Sequence, residues 1–323
     1  MHVGGSKDKN CGKEIQMIAT LLGLMLKVVL LVALGYYVKR KGMISDETER
    51  GLSNLLVNII FPISVIASAD NDFSADKLKN ILIMMAIALV YYIAAILIST
   101  KAGRLLGLSN PDQRIFMTMS TFANTAYIGI PVVVELYGSE GMLYAVIYNM
   151  FYQFFFFTYG IAMLNGDGHF RIRDAWNPCI QSALLACGLF LLQIQLPSPV
   201  QSTIKSVGDM VVPLSMMIIG FGLTDIRFRE VLSDYRAYYV SLLRLLVFPL
   251  LVFLGCRLFH VNKELTMIGM IMSGIPSGSM NVIMAKQYGC DMDYATKGVI
   301  QSMIFGVVTL PLMVAAGNLL GLG

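Results

Sequence analysis

Long apolar stretches alternate with short polar links along nearly the whole of this chain. In order, the apolar stretches are Ile15–Val38, Leu52–Ala69, Ile81–Thr100, Ile115–Tyr137, Met142–Leu164, Pro178–Leu196, Val200–Leu223, Tyr238–Leu258, Leu265–Tyr288 and Ala295–Leu320. A helix needs roughly 20 apolar residues to cross the hydrocarbon core of a bilayer, so each stretch is long enough to span it. The pattern therefore predicts an all-α polytopic membrane protein with ten transmembrane helices, here called spans 1 to 10.

Lysine and arginine residues fall mainly in alternate links. The basic links, together with the span ends beside them, contain Lys39, Arg40, Lys41 and Arg50; Lys101, Arg104 and Arg114; Arg171 and Arg173; Arg227, Arg229 and Arg236; and Lys286 and Lys297. By the positive-inside rule these links face the cytoplasm. The predicted location is the cell inner (plasma) membrane, with both termini on the extracytoplasmic side.

The two halves of the chain carry similar residues in the same order. An offset of about 151 residues places Pro213 on Pro62 and Gly289 on Gly138. Because each half holds an odd number of spans, the second copy must enter the membrane upside down, an arrangement common among secondary transporters. The resulting organisation is a polar N-terminal tail (1–14), a first five-helix repeat (15–164), a cytoplasmic linker (165–177) and a second, inverted five-helix repeat (178–323).

Spans 4 and 9 each contain a helix-breaking run near the middle, at Ala123–Pro131 and Ser273–Asn281. Proline removes a backbone donor, and glycine and small polar residues lower the cost of unwinding. Two such breaks at matching positions would cross near the midplane and present the positive amino ends of half-helices to an anion. The alternative is that these residues only kink and join helices. The candidate substrate-binding residues here are Asn124, Thr125, Pro131, Pro276, Ser277, Ser279 and Asn281.

Spans 2 and 7 form a second related pair that differs in charge. At the same offset, Asn54, Asn58 and Pro62 correspond to Lys205, Asp209 and Pro213. A charged group inside a span is costly unless it is paired or hydrated, and such groups mark pathways and proton relays. We therefore take Asp209 and Lys205 as candidates for proton or ion coupling. A simple ion pair between these two residues, four apart on one helical face, is the alternative.

Other polar residues within the spans extend the list of candidates. Asn58 is a further candidate for substrate binding, and Lys27, midway along span 1, is a further candidate for coupling. Arg244 in span 8 is a candidate for balancing an anion, although lysine and arginine can also extend along their aliphatic stems to the membrane surface.

Composition agrees with this interpretation and excludes other classes. Of 323 residues, 56% are hydrophobic and 14% charged, and the mean hydropathy is +0.69. The net charge of +4 is spread over the links, so we expect a lipid bilayer and no nucleic acid as partner. The five cysteines show no CxxC spacing and the three histidines lie in tails or links. We therefore expect no metal, no cofactor and no enzymatic activity.

Several segments together form a recognisable pattern: Lys41–Ser45, Leu52–Asn58, Phe61 with Pro62, the break around Asn124 and Pro131, Pro276–Ala285, and Tyr288 with Gly289. In these segments the chain resembles the auxin efflux carrier family, which includes bacterial malate-type permeases. It covers nearly all ten spans. It implies a fold similar to sodium/proton antiporters and bile acid symporters, with crossover helices 4 and 9, substrate walls from spans 1, 2, 6 and 7, and a homodimer formed through the scaffold.

These observations together predict a secondary transporter of a small organic anion, a carboxylate such as malate or an auxin-like acid, working by alternating access. A sodium-coupled symporter and a non-transporting membrane sensor of the same fold are the alternatives.

Overall fold

Helices account for nearly all of the residues that the structure describes. The structure, a computed structural model, describes residues 26–27, 30–67, 75–165, 178–192, 194–222, 224, 231–278, 280–318 and 320. Within these ranges no β-strand occurs, and the β-type pairing is one isolated bridge. The prediction of an all-α protein is confirmed for this part of the chain.

The main helices are numbered here in chain order. They are α1 (30–40), α2 (Asp46–Ala67), α3 (Ala75–Leu105), α4 (Asn110–Thr121), α5 (125–137), α6 (139–165), α7 (Pro178–Leu192), α8 (Ser198–Gly222), α9 (Tyr235–Leu258), α10 (Lys263–Ser273), α11 (Met280–Gln287) and α12 (Met292–Gly317). Single π-helical turns interrupt α2 at Leu56–Ile60, α6 at Phe156–Gly160 and α9 at Leu243–Val247, and another begins α5 at Thr125–Gly129. Such turns are frequent at functional sites.

Six stretches of the described residues are long and apolar enough to cross a membrane. They are Asp46–Ala67, Asp76–Leu105, Thr125–Leu164, Ser198–Gly222, Tyr235–Leu258 and Met292–Gly317. These stretches correspond to predicted spans 2, 3, 5, 7, 8 and 10, and Thr125–Leu164 also includes the second half of span 4. Spans 4 and 9 are each divided into two shorter helices, α4 with α5 and α10 with α11. The N-terminal tail, most of span 1 and most of the linker lie outside the described residues.

Polar side chains cap the helices where the chain leaves the apolar layer. At the start of α2, Ser45 Oγ accepts the backbone N–H three residues on at 3.2 Å. Asn262 does the same for α10 at 2.8 Å, and Asp291 for α12 at 3.0 Å. Each cap satisfies an N–H group that the first turn of a helix leaves unpaired, and so fixes where the helix begins.

Two glycines with positive φ join consecutive helices at equivalent places in the two halves. Gly138 joins α5 to α6 with φ 63° and ψ −151°, and Gly289 joins α11 to α12 with φ 65°. Residues with a Cβ rarely adopt this conformation, so glycine is required at both turns. These are the glycines that the offset between the two halves of the sequence aligned.

The helices pack in two groups. In the scaffold group, the end of α2 packs on α7 and α8, and α1 crosses α8 closely. In the core group, α3 packs on α4 and on the stretch Ile130–Phe155, and α9 packs on α10 and α12. The two groups meet where the first turn of α5 contacts α8, and where the stretch Ile130–Phe155 contacts α7 and the end of α2.

Backbones of α1 and α8 touch where two glycines face the opposite helix. A Cβ atom added at Gly220 would lie 2.1 Å from the carbonyl oxygen of Val32, and one added at Gly35 would lie 2.2 Å from that of Met217. The absence of side chains at Gly35 and Gly220 therefore sets the distance between these helices.

The outer surface of the core group is apolar. Helix α3 exposes Leu82, Leu89, Val90, Ile93 and Leu97. A contiguous exposed apolar surface of this kind is unfavourable in water and suits a helix whose outer face contacts lipid.

Candidate substrate-binding site

The helix of each broken span is interrupted for a few residues. Helix α4 ends at Thr121 and α5 begins at Thr125, and Phe122 between them has φ −106° and ψ 105°. Helix α10 ends at Ser273 and α11 begins at Met280. We call the non-helical segments that the structure describes between these helices, 122–124 and 274–278, the first and second breaks.

The breaks pair with each other through their backbones. Ala123 and Ser277 form an antiparallel bridge. The N–H of Asn124 donates to the carbonyl oxygen of Pro276 at 2.8 Å, and the N–H of Gly278 donates to that of Phe122 at 3.3 Å. Unpaired backbone groups are costly in an apolar environment, and here each break satisfies groups that the other leaves free.

Asn124 and Asn281 hold the breaks in different ways. Asn124, 7% exposed, caps α5, because its Oδ1 accepts the N–H of Tyr127 at 3.3 Å. Asn281, 1% exposed, donates from Nδ2 to the carbonyl oxygens of Phe122 and Gly278, each at 3.0 Å. The same nitrogen lies 3.1 Å from Ser277 Oγ. These three acceptors fix the orientation of the Asn281 amide and leave its Oδ1 buried without a partner among the described residues.

Neighbouring hydroxyl groups extend this network into adjacent helices. Thr125 Oγ1 donates to Asn149 Oδ1 of α6 at 2.7 Å. The backbone N–H of Ser277 donates to Ser302 Oγ of α12 at 3.0 Å. The breaks are therefore attached on both sides to helices of the core group.

Pro131 lies in a different place from the first break. It is buried in the first turn of the α-helical part of α5, just after the π-helical turn Thr125–Gly129. Because proline lacks an N–H, it accounts for the change from π-helical to α-helical bonding there. The interruption of span 4 itself lies upstream, at 122–124.

A wide cavity of about 750 Å³ opens between the scaffold group and helices α5 and α6. Most of its lining is aliphatic, and its charged lining residues are Lys27, Glu135, Lys205 and Asp209. Lys27 Nζ lies 2.8 Å from Glu135 Oε2, so this pair joins span 1 to α5. The volume is within the range of roughly 300–1,000 Å³ typical of sites for small organic molecules.

A second, small cavity of about 30 Å³ adjoins the first break. Ala126 and Tyr127 of α5 line it, together with Gln153 of α6 and residues of α2 and α8. Val211 of α8 lines both cavities, so they are neighbours. The wide cavity is thus next to the small one, which lies beside the start of α5.

The structure brings together most of the residues selected from the sequence. Those buried at or next to the breaks are Asn124, Thr125, Pro131, Pro276, Ser277 and Asn281. Those that line the wide cavity are Lys27, Lys205 and Asp209. Ser279 lies outside the described residues. Asn58 is exposed on α2 and lines neither of the two cavities described here.

Lys205 and Asp209 are both exposed, and no ion pair joins them in the described part of the chain. Asp209 ends the first half of α8, where its backbone N–H donates to the carbonyl oxygen of Lys205 at 2.9 Å. Both charges are therefore available to the contents of the wide cavity.

Sequence reasoning missed three polar neighbours of the first break: Tyr127, Asn149 and Gln153. Tyr127 belongs to the same break motif as Asn124, so the sequence pattern could have indicated it. Asn149 and Gln153 lie on α6, and only the packing of α6 against α5 brings them to the site.

Apolar helices, two of them broken and paired beside a cavity, define the class of polytopic membrane transport proteins. The sequence model of the family described as membrane transport protein matches residues 20–171 and 167–314. The chain therefore belongs to this family, and the resemblance to auxin efflux carriers is confirmed.

Similar proteins extend over nearly the whole chain. An uncharacterized transporter of Methanothermobacter thermautotrophicus is 27% identical over 297 residues, covering 89% of this chain and 95% of that protein. One of Methanocaldococcus jannaschii is 23% identical over 304 residues, covering 91% and 96%. The uncharacterized transporter YfdV of Escherichia coli is 19% identical over 320 residues, covering 94% and 99%.

Proposed function

We propose that this protein is a secondary transporter of a small organic anion, a mono- or dicarboxylate, that binds beside the paired breaks. The observation that carries the proposal is the antiparallel pairing of Ala123 with Ser277, next to a cavity that separates two groups of helices. Unwound backbone within a membrane is favourable only where it is buried in protein or lines a cavity, as in transporter substrate sites.

The binding groups are those of the first break and the start of α5. The amide of Asn124 and the hydroxyl of Tyr127 can donate to a carboxylate, and the amino end of α5 adds a partial positive charge. Neither the first turn of α5 nor that of α11 contains an acidic residue. Both half-helix starts therefore favour an anion.

The proposed architecture is ten spans in two inverted repeats, 15–164 and 178–323, joined by the linker 165–177. With both termini outside, the wide cavity opens to the extracytoplasmic side. Movement of the core group against the scaffold group would then expose the site to each side in turn, with the scaffold as the surface for a homodimer.

Energetics distinguish the two directions of transport. An anion that leaves a cell with a negative interior gains about 2.3 kcal/mol per charge per 100 mV. Efflux can therefore proceed without a coupled ion, whereas uptake requires a proton or sodium. Asp209, with Lys205 and Lys27 beside it in the cavity, is the proposed group for proton coupling.

Flux into proteoliposomes tests the proposal. Radiolabelled malate and indole-3-acetate are offered under imposed pH, sodium and voltage gradients to the wild type, Asn124→Ala and Asn281→Ala. Asn54→Ala is the matched control, because it removes an exposed amide of α2. We expect saturable flux of at least one acid in the wild type and the control, and its loss in both break variants. Absence of flux combined with measurable binding would instead favour a sensor.

A further inference from the structure

Arg244 is the only charged side chain that is fully buried among the described residues, with 0% exposure. It lies in the π-helical turn of α9, on the side of the breaks away from the α5 start. A buried charge is strongly unfavourable unless it is paired and hydrogen-bonded. No carboxylate of the described residues contacts it, so its charge must be balanced in another way.

The guanidinium group binds backbone carbonyl oxygens of both broken spans. Its Nε and Nη2 donate to the carbonyl oxygen of Ile275 in the second break, at 3.0 and 2.8 Å. Its Nη1 donates to the carbonyl oxygens of Ser120 and Thr121, at 3.2 and 3.0 Å. These last two residues end α4, so one side chain connects the ends of both first half-helices.

A tyrosine of a third helix holds the guanidinium from the side. Nη1 of Arg244 donates to the hydroxyl oxygen of Tyr91 in α3 at 2.6 Å. The ring of Tyr91 packs edge-on against Phe248, one turn along α9, with centroids 5.8 Å apart. Contacts from helices α3 and α9 thus hold the guanidinium group in the position from which it binds the breaks.

The charges at this junction balance. The carboxyl end of a helix carries roughly −0.5 of an elementary charge, so the ends of α4 and α10 together carry roughly −1. The single positive charge of Arg244 offsets this sum. The positive amino ends of α5 and α11, on the other side of the breaks, have no acidic residue in their first turns.

We propose that Arg244 is a positioning residue that ties the two breaks into one unit and, by neutralising the ends of α4 and α10, makes the site selective for anions. The selectivity part rests on the proposed transport function, whereas the positioning part does not. The hydrogen bonds of Arg244 go only to carbonyl oxygens and Tyr91 among the described residues, and it lines neither cavity, so it acts through the breaks and not on the substrate.

Amide hydrogen exchange of the purified protein in nanodiscs tests the positioning role without any substrate. The variants are Arg244→Met, which removes the charge, and Arg244→Lys, which keeps it but loses the planar fork. Arg236→Met is the matched control, because Arg236 lies on the same helix and binds Asp234 and Asp112. We expect Arg244→Met to speed exchange by about tenfold or more in both 120–128 and 274–282, the factor that roughly 1.4 kcal/mol gives.

Arg244→Lys is expected to give an intermediate effect in the same two segments, and Arg236→Met to leave both segments unchanged. A change in one segment alone, in neither, or equally in all helices would overturn the positioning role.

Flux measurements test selectivity. In Arg244→Met we expect the KM for the transported acid to rise by about tenfold or more, with partial recovery in Arg244→Lys. Leakage of the uncharged indole-3-acetamide should be unchanged. If Arg244→Met changed the flux of the charged acid and the flux of the uncharged amide by the same factor, the selectivity role would be contradicted. A wild type that transports neither acid would overturn the proposed function, and the exchange experiment would still decide the role of Arg244.

Discussion

The backbone N–H of Asn124 donates to the carbonyl oxygen of Pro276 at 2.8 Å, and so joins the middle of one broken helix to the middle of the other. Each break exposes N–H and C=O groups that a continuous helix would have paired. Because these groups are buried, neither break is stable unless the other is present beside it. A change in one break is therefore expected to affect both.

Replacing Asn281 tests this dependence. Asn281→Ala removes the donor that binds the carbonyl oxygens of Phe122 and Gly278, and leaves both buried oxygens without that partner. We expect the free energy of unfolding to fall by about 1–3 kcal/mol. Asn124→Ala, which removes a single bond to Tyr127 N, should cost about 1 kcal/mol.

Thermal unfolding in detergent measures both variants, with Asn54→Ala as the exposed control. If Asn124→Ala lowered the free energy of unfolding more than Asn281→Ala does, these hydrogen bonds would not govern the stability of the breaks.

The contact between α1 and α8 gives a second prediction. Gly220→Ala places a methyl group where the carbonyl oxygen of Val32 would be 2.1 Å away, so the helices must separate. We expect a loss of about 1–3 kcal/mol, as for other overpacked positions. Gly255→Ala on α9 is the control, because a Cβ there meets nothing within 4 Å.

The control should be neutral, or more stable by up to about 1 kcal/mol, because alanine favours a helix more than glycine does. Unfolding temperatures of the two variants are compared under the same detergent conditions. Equal losses in both variants would mean that the close helix contact is not the cause.

Asp234 gives a prediction on pH dependence. Burial raises the pKa of this carboxyl, but hydrogen bonds and charge from Arg236 lower it more, so the net shift is below the ordinary value. A lowered pKa contributes stability that is present above the pKa of the unfolded chain, about 3.9, and is lost as pH falls through the folded pKa. Stability should therefore decline as the medium is acidified below that value.

Asp234→Asn removes this contribution, and is expected to be less stable than the wild type at pH 7 but to lose less on acidification. Asp293→Asn is the control, since Asp293 is 74% exposed and pairs with Lys297 on the surface. The free energy of unfolding is measured between pH 7 and pH 3. Parallel curves of this free energy against pH for the wild type and Asp234→Asn would contradict the assignment.

The sequence contained enough to predict the helical class and the positions of the breaks. Runs of apolar residues indicate membrane spans, and Gly274, Pro276 and Gly278 together indicate the second break. Pro131 was a weaker guide, because a proline near a helix start is compatible with the helix and the interruption lies upstream at 122–124. The polar residue Asn124, acting as a cap, marks the first break more accurately.

The destination of Arg244 could not be predicted. Its partners are backbone carbonyl oxygens of Ser120, Thr121 and Ile275, and every residue has such an oxygen, so no side-chain pattern indicates them. The idea that it extends to the membrane surface is wrong, since the side chain is fully buried. The roles of Asn149 and Gln153 likewise depend on tertiary packing of α6.

Asp209 carries the last prediction, which concerns coupling. Its carboxylate and the ammonium group of Lys205 both line the wide cavity. If protonation of Asp209 drives transport, Asp209→Asn should abolish the acceleration of flux by a pH gradient while flux driven by a substrate gradient persists. Lys205→Gln should keep the response to pH and slow anion entry by a few-fold at low salt, because it removes a positive charge from the entrance.

Fluxes of the two variants under pH, sodium and voltage gradients separate the mechanisms. A pH response that survives in Asp209→Asn would remove this residue from the coupling step. A wild type that responds to sodium and not to pH would favour a sodium-coupled symporter, because carbonyl, hydroxyl and amide oxygens like those of the breaks can bind a hard cation without a titrating group. A response to voltage alone would indicate uniport of the anion. The charge of Asp209 would then only keep the cavity hydrated.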